Sequence, residues 1–372
     1  MNNHDKISVM VVDDSAVIRG MFANVLDADS DIEVIGTAAN GRMAVDMLAR
    51  GDCNDVDVIT LDIEMPEMDG LTALPEILKI VPDAKVVMVS SLSSHGAAET
   101  LKALSMGATD YMAKPDGSDE RSLLREFTRT LVDKVKVLGK NGHTVETYLK
   151  GETIESKEED SDNQVEDIEL LPKKREFIPS AIAIGSSTGG PQALSKYFKS
   201  LKGRNIKIPI FITQHMPAKF TTLLAEQISN ISGLDCYEAE EGMEVENGKV
   251  YLAAGDYHML IKEGEDRKKY IHLSQKEKEN YCRPAVDPML GSLVNSYSGK
   301  LLVIIMTGMG SDGLEGSKKV VDSGGIVIAQ DKESSVVWGM PKAVAEAGIC
   351  SSVVSINEMA GETINLSRGC VV

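Results

Sequence analysis

Residues 181–191 read AIAIGSSTGGP. A short apolar run meets a cluster of Gly, Ser and Thr, and a helix-like segment opens at Pro191. An apolar run of this length suits a buried strand, and Pro is pre-set for the first turn of a helix. The stretch therefore reads as strand, turn and helix, the repeating unit of a parallel sheet covered by helices. It also poses a chemical question. The glycines suit a phosphate held at a helix N-terminus. Gly185-Ser186-Ser187-Thr188-Gly189 equally fits G-x-S-x-G, with Ser187 as a nucleophile on a sharp turn.

Working outward, the same alternation continues to the end of the chain. Strands are expected at 180–184, 208–213, 249–254, 301–306 and 326–329. Around 249–274, GKVYLAAGDYHMLI and KYIHLSQ flank the polar loop KEGEDRK, which predicts a β-hairpin. Upstream, apolar runs at 7–12, 32–38, 56–61, 85–90 and 108–112 alternate with amphipathic segments. The chain is thus expected to be α/β, with two doubly wound parallel-sheet domains. Between them, residues 151–169 carry nine acidic residues against one Lys and no aromatic. Such a segment buries too little surface to offset its ordering entropy. The expected boundaries are a first domain over 5–139, an acidic linker over 140–177 and a second domain over 178–368.

Composition narrows the class. The chain has 372 residues, 42% of them hydrophobic, which suits globular domains and a soft prior of two. A formal net charge of -18 argues against nucleic acid as the main partner. The five cysteines are scattered and form no C-x-x-C, so reduced thiols in a cytoplasmic protein are expected. No apolar run approaches 18 residues, and neither a signal peptide nor membrane insertion is expected.

In the first domain, Asp13 and Asp14 end the first strand, Asp62 the third and Ser90 the fourth, and Lys114 follows the fifth. Ligands of open α/β sheets sit beyond the C-terminal strand ends. Clustered carboxylates repel and call for a cation, and their hard oxygens suit Mg²⁺. A carboxylate beside such an ion, with a Lys facing incoming negative charge, is a place to accept a phosphoryl group. Taken singly, Asp13-Asp14 would read as a helix cap and MPEMDG as a turn. Together, VVDDS, LDIEMPEMDG, VSS and KP resemble the receiver domain of two-component response regulators. The resemblance implies that Asp62 accepts phosphate from a histidine kinase, and that Asp13, Asp14, Asp62 and the Glu64 carbonyl hold Mg²⁺. It implies that Ser90 and Lys114 contact the phosphate, with Tyr111 at the aromatic switch position.

In the second domain the phosphate reading weakens. A P-loop needs Gly-Lys-Ser/Thr, and 185–191 has no Lys. A dinucleotide fingerprint needs Gly where Ser187 stands, and an acid where the next strand ends in Gln214-His215. A serine nucleophile needs a base and an orienting group. His215 follows one strand, and Asp312 follows another across TGMGSDG, so all three lie at one sheet edge. The order Ser, His, Asp departs from that of α/β-hydrolases, but triads are recognised by geometry. Backbone N–H groups near Thr188 and Met309 are candidates for an oxyanion hole. Each residue also has a plain reading: a helix-capping Ser187, a core His215 and an N-capping Asp312.

The motifs AIGSSTGGP, TQHMP, YLAAGDYHM, CRPAVDPML, TGMGSDG, IAQD and GMPKAV resemble chemotaxis response-regulator protein-glutamate methylesterases. The resemblance implies a flavodoxin-like receiver followed by a Rossmann-like methylesterase domain. It implies a Ser187, His215, Asp312 triad that hydrolyses glutamate γ-methyl esters on methyl-accepting chemoreceptors and deamidates receptor glutamines. It further implies a chemotaxis histidine kinase as phosphodonor, no cofactor for the esterase step, a cytoplasmic monomer, and an unphosphorylated receiver that hinders substrate entry. A DNA-binding output would need a basic recognition helix, which 178–372 does not show. A binding module carrying a decayed triad is the remaining rival, and labelling by a serine-directed inhibitor separates it from an esterase.

Overall fold

A computed structural model describes residues 6–53, 55–91, 93–114, 120–139, 168–172 and 177–367. They fall into two compact units, divided at residue 144. No described helix is long and apolar enough to cross a membrane.

The first unit holds β1 (Ile7–Val12), β2 (Ile32–Ala38), β3 (Val58–Asp62), β4 (Lys85–Ser90) and β5 (Asp110–Ala113). All pair in parallel, in the order β2-β1-β3-β4-β5. Strands covered on both faces read as continuous apolar runs; β3 is buried along its whole length. The intervening helices start on side-chain caps. Ser15 accepts from Ile18 N, Asn40 from Met43 N, and Asp69 from Thr72 N. Each cap satisfies an amide that the helix itself leaves open. Because the chain leaves β1 toward β2 and returns to β3, the order reverses between β1 and β3. That is the switch point where such sheets open a crevice.

The second unit contains β6 (Ala181–Ser186), β7 (Ile210–Gln214), β8 (Cys236–Glu238), β9 (Val250–Leu252), β10 (His258–Glu263), β11 (Lys269–Ser274), β12 (Leu301–Ile305), β13 (Ile326–Gln330) and β14 (Ser352–Val354). Seven of them form a parallel sheet ordered β14-β13-β12-β6-β7-β9-β8. Here the reversal lies between β6 and β12. The expected hairpin is β10 with β11, paired antiparallel around Gly264–Lys268. The stretch GKVYLAAGDYHMLI is divided: Val250–Leu252 joins the parallel sheet, and only His258 onward enters the hairpin. The three-residue strands β8 and β14 are not among the expected strands.

Much of the expected linker lies outside the described residues. Of its described part, Leu171 N–H donates to Cys350 O at 2.8 Å, and Ile168 packs against the core of the second unit.

Candidate active site

Ser187 lies one residue past β6, and His215 one residue past β7. The register pairs Ser186 with Gln214, so the two residues emerge side by side. Buried polar groups fix this edge. Ser186 Oγ donates to Gln214 Oε1 at 2.6 Å, while Gln214 Nε2 donates to Ser187 O at 2.9 Å. The turn depends on close approach. Gly189 has φ of 75°, and a Cβ on Gly308 would stand 2.8 Å from the Ser187 Cβ. Glycines in GSSTGG and TGMG therefore let two loops meet at the serine.

Asp312 sits past β12, beyond the switch point. It is 2% exposed, and its carboxylate is saturated with donors. Oδ2 lies 2.7 Å from His215 Nε2 and accepts Val286 N–H at 2.6 Å. Oδ1 accepts Asn280 Nδ2–H at 2.9 Å and Asp287 N–H at 3.1 Å. Val286 and Asp287 open the helix Val286–Tyr297, whose N-cap residue Ala285 supplies no side-chain acceptor. Asp312 thus caps that helix from a distant loop, as an anion at a positive helix end. Burial opposes ionisation of Asp312, but His215 and the Val286 and Asp287 amides outweigh it and hold the carboxyl below its ordinary range. Asp287, which shares Asn280 with Asp312, is pushed up to about 6 by burial and then by the Asp312 charge.

His215 is oriented by this carboxylate. Burial works against its protonation, yet Cys282 and Asp312 together raise its proton affinity well above the ordinary imidazole value. With Nε2 on Asp312, the free base nitrogen is Nδ1. The structure brings His215 and Asp312 into contact, but among the described residues no hydrogen bond joins His215 to Ser187. Nδ1 faces the Cys282 thiol at 3.3 Å instead. Asn280 and Cys282 are absent from the residues singled out in the sequence. Both lie in a loop without periodicity; Cys282 opens the motif CRPAVDPML, and Asn280 stands two residues before it.

Thr188 is buried and its carbonyl accepts the Thr307 hydroxyl at 2.9 Å. Among the described residues, the N–H groups of Thr188 and Met309 have no acceptor. They flank Ser187 on the two loops that Gly308 draws together.

In the first unit, Asp13, Asp14 and Asp62 converge at the switch point, with carboxylate oxygens within 4.8 Å of one another. Lys114 Nζ bridges Asp13 at 2.9 Å and Asp62 at 2.7 Å. Asp14, Asp62, Glu64, Ser90 and Lys114 line one pocket. Burial pushes Asp62 up to about 6 against the opposing charge of Lys114. Three hard-oxygen ligands in a small cleft fit Mg²⁺ with several waters retained. The Ser90 hydroxyl lies 2.8 Å from Thr100 Oγ1. Tyr111 is buried, and Lys134 Nζ stands 6.0 Å from its ring centroid.

The family model described as CheB methylesterase matches residues 182–363, and that of the response regulator receiver domain matches 9–125. A protein-glutamate methylesterase/protein-glutamine glutaminase of Azospirillum brasilense is 46% identical, over 95% of this chain and 91% of its own. One from Paramagnetospirillum magneticum is 45% identical, over 96% of this chain and 95% of its own. The crystal structure of the Thermotoga maritima CheB methylesterase catalytic domain is 41% identical. It spans 50% of this chain and 98% of its own, with a TM-score of 0.49.

Proposed function

The chain belongs to the protein-glutamate methylesterase/protein-glutamine glutaminase family, and from that premise we propose that Ser187, His215 and Asp312 carry its hydrolysis. The substrate is a glutamate γ-methyl ester of a chemoreceptor, and the receiver domain places the reaction under phosphorylation control. The observation that carries the assignment is the 2.7 Å His215–Asp312 contact beside Ser187 at the sheet's switch point.

Ser187 Oγ attacks the ester carbonyl carbon while His215 Nδ1 takes its proton. Asp312 keeps the remaining imidazole proton on Nε2 and stabilises the imidazolium. The negative oxygen of the tetrahedral intermediate lies toward the N–H groups of Thr188 and Met309. Its collapse breaks the C–O bond to methoxide, which leaves as methanol with the proton from His215. Water, deprotonated by the same nitrogen, then hydrolyses the acyl-serine to glutamate. A glutamine amide enters the same path with ammonia as the leaving group.

In the receiver, Asp62 is the phosphoryl acceptor and a chemotaxis histidine kinase the donor. Asp13, Asp14, Asp62 and the Glu64 carbonyl would hold Mg²⁺, which when bound supplies positive charge for the incoming phosphoryl group. Lys114 and Ser90 are placed at the same cleft to meet the phosphoryl oxygens. Methanol release from methylated receptor, by wild type and by Ser187→Ala, tests the assignment. We expect no release above background from the variant; retained release overturns the triad.

A further inference from the structure

We propose that Cys282 is a positioning residue for the esterase: its thiol holds the base nitrogen of His215 between turnovers, and Ser187 must displace it before proton transfer. The proposal rests on the reading of Ser187, His215 and Asp312 given above.

Three observations lead there. His215 Nε2 is committed to Asp312 at 2.7 Å, so only Nδ1 remains for chemistry. Among the described residues, the group in hydrogen-bond contact with Nδ1 is Cys282 Sγ, at 3.3 Å. Cys282 is also held where it is. It closes a tight turn in which Cys282 N–H donates to Glu279 O at 2.9 Å and Glu279 N–H donates to Cys282 O at 3.2 Å. The two central residues, Asn280 and Tyr281, both adopt left-handed backbone, with φ of 50° and 62°. Left-handed backbone is uncommon outside glycine and persists where surrounding contacts enforce it. Those contacts are visible on both sides of the thiol. Asn280 Nδ2 donates to Asp312 and Asp287, while Arg283 donates to Asp256 and to the carbonyls of Gln275 and Lys276. One turn therefore anchors the orienting carboxylate and occupies the base.

The charge argument fixes the direction. The titratable groups facing His215 are Asp312 from the loop after β12 and Cys282 from the turn, with Asp287 behind Asp312 on the following helix. While the Cys282 thiol occupies it, Nδ1 is unavailable to Ser187. A neighbouring negative charge favours the protonated imidazole. The contact with Cys282, like that with Asp312, raises the proton affinity of His215, so its removal lowers the pH at which the imidazole becomes a competent base.

The test compares the pH dependence of methanol release by the full chain and by Cys282→Ala and Cys282→Ser, with Ser187→Ala run alongside. Cys282→Ala is expected to shift the acid limb of kcat/KM to lower pH by about one unit or more, whereas Cys282→Ser, which keeps a hydroxyl beside Nδ1, shifts it less. For Cys282→Ala, kcat near neutral pH is expected to rise several-fold with KM little changed. A merely structural cysteine would instead lower kcat at every pH and leave the limb in place. If Ser187→Ala is inactive and the Cys282→Ala profile keeps the wild-type limb, the proposal fails while the triad stands. If Ser187→Ala is active, the triad reading fails and the proposal falls with it. Melting curves of both variants identify any loss of fold, and the serine variant keeps a donor of similar size at the position.

Discussion

Asp312→Asn is the substitution whose consequences the structure specifies most fully. Each carboxylate oxygen accepts two donors: His215 Nε2 and Val286 N on Oδ2, Asn280 Nδ2 and Asp287 N on Oδ1. An amide offers one acceptor oxygen and one NH₂, so one pair of donors loses its acceptor whichever way it turns. Asn280 is exposed and Asp287 half-buried, whereas Val286 is fully buried. The NH₂ is therefore expected on the wetter side, keeping the oxygen on His215 and the imidazole in its working tautomer. Leaving a buried donor unsatisfied costs about 1–3 kcal/mol, and partial access to water brings the total toward about 2 kcal/mol. The catalytic loss comes from the missing charge. A charged acceptor is worth up to about 3 kcal/mol, which corresponds to about a hundredfold in kcat. The destabilisation also has a pH signature. Asp312 is held below 3.8 and His215 above 6.5, so the pair's contribution is fully present between those values. It is lost at lower pH as Asp312 protonates and at higher pH as His215 releases its proton. Urea unfolding of wild type and variant across pH, with methanol release at saturating methylated receptor, measures both. Activity within threefold of wild type together with unchanged stability would refute Asp312 as the orienting group.

Asp62→Ala is expected to abolish stimulation by a small phosphodonor with Mg²⁺ while leaving basal methanol release unchanged; stimulation that survives would place the phosphoryl acceptor elsewhere. Asp62→Asn removes a carboxylate that burial holds at about 6 instead of 3.8. The metal-free variant should therefore gain up to about 2 kcal/mol at pH 7, a gain that shrinks as pH falls through 6 toward 4, because the folded state binds that proton more tightly. Thermal melts with and without Mg²⁺ check this, with the ion stabilising wild type more than the variant. Gly190→Ala would put a Cβ 1.9 Å from Gln214 Oε1 and drive Gln214 from Ser186. We expect about 2 kcal/mol of destabilisation and a lower kcat; a neutral result in both would remove Gln214 as the support of the serine turn.

Legibility of the fold followed the strength of the apolar signal. Runs such as KVVMVS and LLVII are buried on both faces, and they announced themselves because a parallel sheet leaves no polar alternation. The strands CYE and SVV carry no such signal. Each is three residues long and lies at a sheet edge, where long-range pairing rather than local pattern makes the strand. Val250–Leu252 was legible as a strand, but the sequence does not say that it leaves the hairpin to pair with β7. At the site, Ser187, His215 and Asp312 were readable because each follows a strong strand. Cys282 and Asp287 stood in the motif CRPAVDPML, but their place at the site, like that of Asn280, was not readable, because they come from the loop and helix after β11, where no periodicity ties them to the sheet edge.

The two units reach different chemistry by the same topological means. In each, two strands with opposite onward directions lie next to each other: β1 and β3 in the first, β6 and β12 in the second. The chain turns away from the crevice on both sides, so loops after these strands face each other over an open edge. In the first, Asp13 and Asp62 approach across that gap with Lys114 Nζ between them, and burial still holds Asp62 up to about 6. In the second, Asp312 crosses the gap with four donors on its carboxylate, His215 Nε2 among them. The two carboxylates thus differ in how many donors meet them. Removing donors from Asp312 should move it toward the behaviour of Asp62. Asn280→Ala is accordingly expected to raise the Asp312 and Asp287 carboxyl pKa values, which NMR titration of the carboxyl carbons would register.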